Sequence, residues 1–352
     1  MNLTEISIAI RKFFIWLVIV LIMYFVIKFL IGLFIALNTK PIPLPLPDIR
    51  FNKLPAPTFT TTTVSTSSSG LKFTLENVDG HPPETTPSAK VYVMPKKLPS
   101  ILSEERAKKM ATKLGFTNEP EINTPTLYHF TYPSDPLWSL DIDITNLNFK
   151  LKYDYQKNLP VINLEGGLRT EDALSYTKNY IQNNGLFDGS IIGGKASFNT
   201  FIFDPVFKTF SPATSISTTN AVRINFLRND IDLLKVLPPA FDQSYNYALY
   251  VSTTSPSRIL ELNYTFWPIA FDDFGTYPLR SGTTAWHDLI DGYAYVVKIG
   301  NNTPDRSIVI RNIYLAYYDS DEPQQYIQPI FVFEGDNGFV AYLPAIDSEQ
   351  LE

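Results

Sequence analysis

Three histidines carry all the imidazole chemistry of this 352-residue chain: His81, His129 and His287. They do not form a His-Glu-x-x-His motif or any other paired-ligand spacing, and the absence of cysteine removes thiolate ligands and nucleophiles. His81 lies in the turn-like Gly80-His81-Pro82-Pro83, His129 between Tyr128 and Phe130, and His287 beside Asp288. Carboxylates offer more. Asp141 and Asp143 would share one face of a strand, while Asp272-Asp273 and Asp319-Ser320-Asp321-Glu322 read as loops. Two acids across a cleft are the equipment of a glycoside hydrolase. Asp319 and Asp321 with backbone carbonyls would suit calcium, but the glycine and distal glutamate of a calcium loop are missing, so a solvated turn is the simpler reading. Gly166-Gly167 and Gly193-Gly194 lack the Lys-Ser/Thr of a phosphate loop, and no Gly-x-Ser-x-Gly elbow occurs. The expectation is therefore no catalytic residue, no metal, no cofactor and no enzyme.

Composition narrows the partners. Apolar residues make up 45% of the chain and aromatics 14%, enough for a folded core. The net charge of −6 speaks against nucleic acid, whose phosphates need a concentrated basic surface. Beyond Gly70 acidic side chains outnumber basic ones by ten, yet Lys90 to Lys113 carries a local +5. Such a run is ordinarily a solvated helix face, and beside a membrane it could turn a domain toward anionic lipid or an envelope polymer.

The elements behind these residues begin with a membrane span. Phe13 to Leu37 is apolar apart from Lys28. As a helix it reaches about 37 Å at ~1.5 Å per residue, against a hydrocarbon core of ~30 Å. Its Leu, Ile, Val and Phe contribute about −6 to −11 kcal/mol to insertion, and Lys28 costs about 3 kcal/mol. Ala36-Leu37-Asn38 is a poor cleavage site, so the span reads as an uncleaved signal anchor. Arg11 and Lys12 on one side nearly balance Lys40 and Arg50 on the other. The N-terminal tail, residues 1–12, is assigned to the cytoplasm because the residues beyond the span read as a stalk and an exterior domain. Lys28 either snorkels to the interface or meets another transmembrane helix.

Residues 38–70 read as a spacer, first alternating prolines from Pro41 to Pro47, then the hydroxyl-rich run Thr60 to Ser69. The folded region is expected to begin near residue 71 and to fold alone. It divides into a first module (71–185), a strand-rich stretch (186–280), a C-terminal module (281–346) and a tail (347–352). Helices are expected from Ser103 to Gly115, from Thr170 to about Gly185, and from Thr284 to Gly292. Strand patterns recur at Leu140–Ile144, Phe149–Tyr155, Val222–Phe226, Tyr247–Val251, Ile259–Phe266, Ile308–Tyr318, Tyr326–Glu334 and Phe339–Leu343. The class is α+β, antiparallel sheet packed with short helices.

Two patterns resemble a known family. Helices opening with Ser/Thr, two acids and Ala, followed by meandering strands, resemble PepSY-like modules of bacterial exported proteins. The runs Ile313–Tyr318, Tyr326–Phe333 and Phe339–Ala345 resemble the ending of YycI/YycH-type proteins over roughly 283–346, with Ala316 where glycine is common. The Pro/Thr/Ser stalk and the stretch 186–280 depart from that pattern. The resemblance implies a single-span extracytoplasmic accessory of a membrane sensor histidine kinase, associating through transmembrane helices and outer domains. The residues expected to meet a partner are Lys28 and the strand tyrosines Tyr314, Tyr317 and Tyr318, of which Tyr314 and Tyr318 share a face and Tyr317 takes the other. An envelope-facing carbohydrate- or peptide-binding module is the second expectation, and a two-carboxylate hydrolase the third.

Overall fold

The computed structural model describes residues 3–38, 46–59, 64–65, 70–253, 258–302 and 307–352. They form two units, the helix-bearing residues 1–45 and a body from Leu46 to Glu352.

The first unit is one helix, α1 (Leu3–Asn38). The apolar stretch extends over 19 residues, Phe13–Ile31, and is exposed throughout. The expected N-terminal tail is helical from Leu3 onward.

The body contains α2 (Ser103–Lys113), α3 (Thr170–Asn184), the single turn α4 (Gly189–Ile192) and α5 (Gly282–Ile290). Its early strands are β1 (Val64–Ser65), β2 (Lys72–Leu75), β3 (Ser88–Val93), β4 (Glu121–Ile122), β5 (Leu127–Thr131), β6 (Trp138–Asp143) and β7 (Phe149–Tyr153). In the middle come β8 (Ala196–Asp204), β9 (Thr209–Pro212), β10 (Ala221–Phe226), β11 (Lys235–Leu237), β12 (Tyr247–Val251) and β13 (Ile259–Tyr264). The last are β14 (Ala270–Pro278), β15 (Tyr295–Lys298), β16 (Ser307–Tyr318), β17 (Tyr326–Gly335) and β18 (Phe339–Pro344).

Two sheets of nine described strands each result. Sheet I runs β4-β5-β6-β7-β13-β12-β10-β8-β9, antiparallel throughout. Sheet II runs β1-β15-β18-β17-β16-β11, with β3 joining β17 to β14 and with β2 and β11 both parallel to β16. The class is α+β, with few helices beside large, mainly antiparallel sheets.

The modules expected at 71–185, 186–280 and 281–346 do not coincide with the sheets. Sheet II draws strands from both ends of the body and takes β11 from its middle, because the chain leaves sheet I after β10 and returns at β12. Sequence pattern marks a strand but not its neighbour, since pairing is a long-range choice.

Each sheet packs its helices on one face. Small residues let α2 and α3 approach sheet I, with Ala107, Ala111, Ala173 and Ile181 buried against Leu140, Ile142, Ile224, Ala248 and Leu262. The first helix starts at Ser103, not after it: Leu102 is the capping residue, and the Ser103 hydroxyl instead accepts the Ser100 N–H at 2.9 Å. Gly185 ends α3 in the left-handed region at φ 58°, which glycine adopts without a Cβ penalty. On sheet II, Ala285 and Leu289 of α5 meet Phe331, Phe333, Phe339 and Leu343. Ser281 caps α5 by accepting the Thr284 N–H.

The expected spacer is corrected over residues 46–59, which belong to the body. Leu54 is fully buried, and its N–H and C=O bond to Gln350 and Glu352 of the C-terminal end. Asp48 accepts the Thr276 N–H at 2.7 Å, Pro55 takes the Gln328 amide at 2.7 Å, and Phe59 packs on Tyr295, Tyr318 and Tyr342. Burial of Leu54 alone stabilises this strap by about 1.5–3 kcal/mol. Most of the proline run and most of the hydroxyl run, residues 39–45, 60–63 and 66–69, lie outside the described residues; Val64–Ser65 pairs with β15.

Candidate functional site

The turn from Asp319 to Gln325, between β16 and β17, is where the two sheets meet. Asp319 is held from below by Arg228, just past the end of β10 in sheet I. The guanidinium reaches the carboxylate twice, Nε to Oδ2 at 3.1 Å and Nη2 to Oδ1 at 3.3 Å, with both side chains almost wholly enclosed. Arg228 also donates to the Trp267 carbonyl at 3.0 Å and lies over the Phe266 ring. Burial is the largest single influence on the Arg228 guanidinium and would lower it, but the Asp319 charge, the nearby Tyr245 and the hydrogen bonds to Asp319 together leave it above its ordinary value. The Tyr245 hydroxyl near this pair is pushed far up, by burial first and by the Asp319 charge second, so it stays neutral. This corrects the solvated-turn reading at Asp319. The Asp319 carboxylate serves a buried ion pair, and among the described residues no cluster of three His, Asp or Glu could hold a metal ion.

A groove opens on each side of the turn. The first, about 460 Å³, lies between Thr58-Phe59 of the strap, the Pro239–Tyr245 connection and Ser320–Glu322. Its floor is Arg223, which donates to Asn225 Oδ1 at 2.9 Å and to the Ser244 carbonyl at 3.0 Å, with its guanidinium 3.7 Å from the Tyr247 ring centre. Burial lowers the Arg223 guanidinium. Tyr247 is pushed up to about 12, by burial and then by Glu261, whose carboxylate its hydroxyl meets at 3.0 Å.

The second groove is larger, about 680 Å³. Val93–Lys97 form one wall, Thr126, Asp143, Thr145 and Asn146 another, and Trp267 with Pro323–Tyr326 the third. Asp143 is already occupied, accepting from Thr145 N at 2.8 Å and Asn146 Nδ2 at 3.0 Å. The Gln324 amide nitrogen is buried and has no hydrogen-bond partner among the described residues. A buried donor without an acceptor is costly, so this wall is polar and unsatisfied. Half-buried Trp267 and Tyr326 supply aromatic surface, and exposed Lys96 and Lys97 supply charge.

The residues singled out from sequence fare unequally. Lys28 is exposed on α1. Tyr314 and Tyr318 do share a face and Tyr317 takes the other. Tyr317 and Tyr318 are corrected as contact residues, since both are enclosed by the body, donating to the Lys90 carbonyl at 2.9 Å and the Thr58 carbonyl at 3.2 Å. On one face β3 covers Tyr317 and on the other the strap covers Tyr318, neither recognisable as a cover from local sequence. Tyr314 is half-buried, donating to Glu334 at 2.5 Å under Lys235, and burial with Glu334 raises it well above its ordinary value. His129 and Asp141, cross-strand partners on β5 and β6, make a 2.6 Å contact on the face of sheet I away from the helices. Asp273 pairs with Arg50 at 3.0 Å. Sequence reasoning missed Arg228, Trp267 and Gln324, which carry no local motif.

No family model matches the chain, and no curated protein does. Among solved structures, the crystal structure of an uncharacterized protein from Eubacterium rectale is similar over 77% of this chain and 86% of that one, at 10% identity and a TM-score of 0.41.

Proposed function

We propose that this chain is a single-pass, membrane-anchored binding protein whose body lies outside the cytoplasm and regulates a membrane partner. The observation that carries the reading is Phe13–Ile31, a 19-residue apolar helix with no side chain buried. In water such a surface would be strongly unfavourable, whereas in hydrocarbon it satisfies its own backbone and hides its side chains. The C-terminal resemblance supports a sensor histidine kinase as partner class. The test is fractionation of the intact product, with protease applied to whole cells. Membrane retention with digestion of the body is expected. A soluble product, or one shortened at residues 36–38, overturns the anchor; a protected body overturns the orientation. Lys28→Leu should weaken partner association while leaving insertion intact.

A second reading, an envelope-facing carbohydrate or peptide binder, is favoured by the larger groove, where Trp267 and Tyr326 stand beside the unsatisfied Gln324 amide. Titration with envelope glycan or peptide fragments should then change tryptophan fluorescence, and Trp267→Ala should abolish the change.

A further inference from the structure

We propose that Lys96–Leu102, the connection from sheet II to α2, is a docking surface for an anionic bilayer, the membrane that the N-terminal helix crosses. The proposal rests on the anchored reading above. Three aliphatic side chains stand in water within five residues: Leu98 is 74% exposed, Ile101 99% and Leu102 59%. Lys96 and Lys97 precede them, and Arg106 and Lys109 come after them on the exposed side of α2. Lys96, Lys97 and Lys109 have no carboxylate within ion-pair distance among the described residues, unlike Lys108, which is clamped by Glu104 and Glu119. On a body whose acidic side chains exceed its basic ones by nine, this is a concentrated positive surface.

Its shape is fixed rather than floppy. Ser103 Oγ accepts the Ser100 N–H at 2.9 Å, and Arg106 Nη2 donates to Ser100 Oγ at 3.0 Å. The turn at Ile101-Leu102 is thereby held at the mouth of α2 with its side chains outward. The combination selects the partner. An anionic polymer in water would use the lysines but gain nothing from three exposed aliphatics, whereas a phospholipid surface takes both, ammoniums at the headgroups and aliphatic side chains at the acyl boundary.

The chain has no cysteine, so Ile101→Cys in the full-length protein gives a single attachment point for a polarity-sensitive dye. The labelled protein is incorporated into discs of phosphatidylcholine alone or with phosphatidylglycerol. In the anionic discs the emission should shift to the blue and be quenched by lipid-borne quenchers. Lys96→Gln with Lys97→Gln should reduce the docked-to-free ratio about fivefold per lysine. A dye at Phe207→Cys, 76% exposed on a sheet I hairpin, should keep its aqueous emission. Failure of the chain to enter discs would defeat the anchored reading. Entry with unshifted emission at residue 101 overturns the docking proposal, as does an equal shift at residue 207. A shift produced only by a soluble acidic polysaccharide overturns it in favour of polymer binding.

Discussion

Asp319→Asn should destabilise the body by about 3 kcal/mol, the lower end of the cost of removing one partner from a buried ion pair. The structure sets the magnitude. Arg228 keeps its charge in the variant, and what remains around it is the Trp267 carbonyl and the face of Phe266. Those partners soften the loss but cannot neutralise a guanidinium at the seam between sheets. At about 2 °C or slightly more per kcal/mol for a body of this size, the midpoint should fall by roughly 6–8 °C. Urea unfolding followed by circular dichroism measures the cost, and the single variant Arg228→Met with the double variant Arg228→Met/Asp319→Asn completes the cycle. Because removing both charges leaves neither stranded, the double should be less destabilised than Asp319→Asn alone. A loss under about 1 kcal/mol for Asp319→Asn, or a double variant equal to the sum of its singles, would refute the view that this pair locks the sheets together.

Burial elsewhere in the body sets two further outcomes. Tyr180 and Tyr247 are each pushed from 10.0 up to about 12, chiefly by burial. The unfolded chain loses these phenolic protons first, so their contribution is fully present below pH 10 and disappears as pH rises through 12. Stability should therefore fall across that window together with phenolate absorbance, and phenolate appearing near pH 10 without unfolding would contradict the burial. A chain begun at Leu71 should be less stable than one begun at Leu46, by at least the ~2–5 kcal/mol expected for deleting buried Leu54 alone. Equal urea midpoints for the two would show the strap to be dispensable.

Local periodicity was enough for several elements. Tyr247–Val251 forms as the sequence pattern delimits it, and the turn Gly335–Gly338 joins β17 to β18 as its Gly-Asp-Asn-Gly composition demands, with Asn337 and Gly338 both at positive φ. The apolar span is legible for the same reason, since every residue contributes additively to transfer into hydrocarbon. The helices α2, α3 and α5 lie within two residues of the expected bounds because caps and glycines act locally.

What the chain alone could not decide is everything that depends on which segments become neighbours. The prolines and threonines before residue 60 read as spacer, yet Leu54 and Phe59 find aromatic and C-terminal partners hundreds of residues away. The tyrosines Tyr317 and Tyr318 read as surface until β3 and the strap cover them. Asp319 read as a solvated acid until Arg228 arrived from the other sheet. Alternation along a strand assigns faces, but only tertiary pairing assigns what each face meets, because that energy is shared between residues the sequence keeps apart.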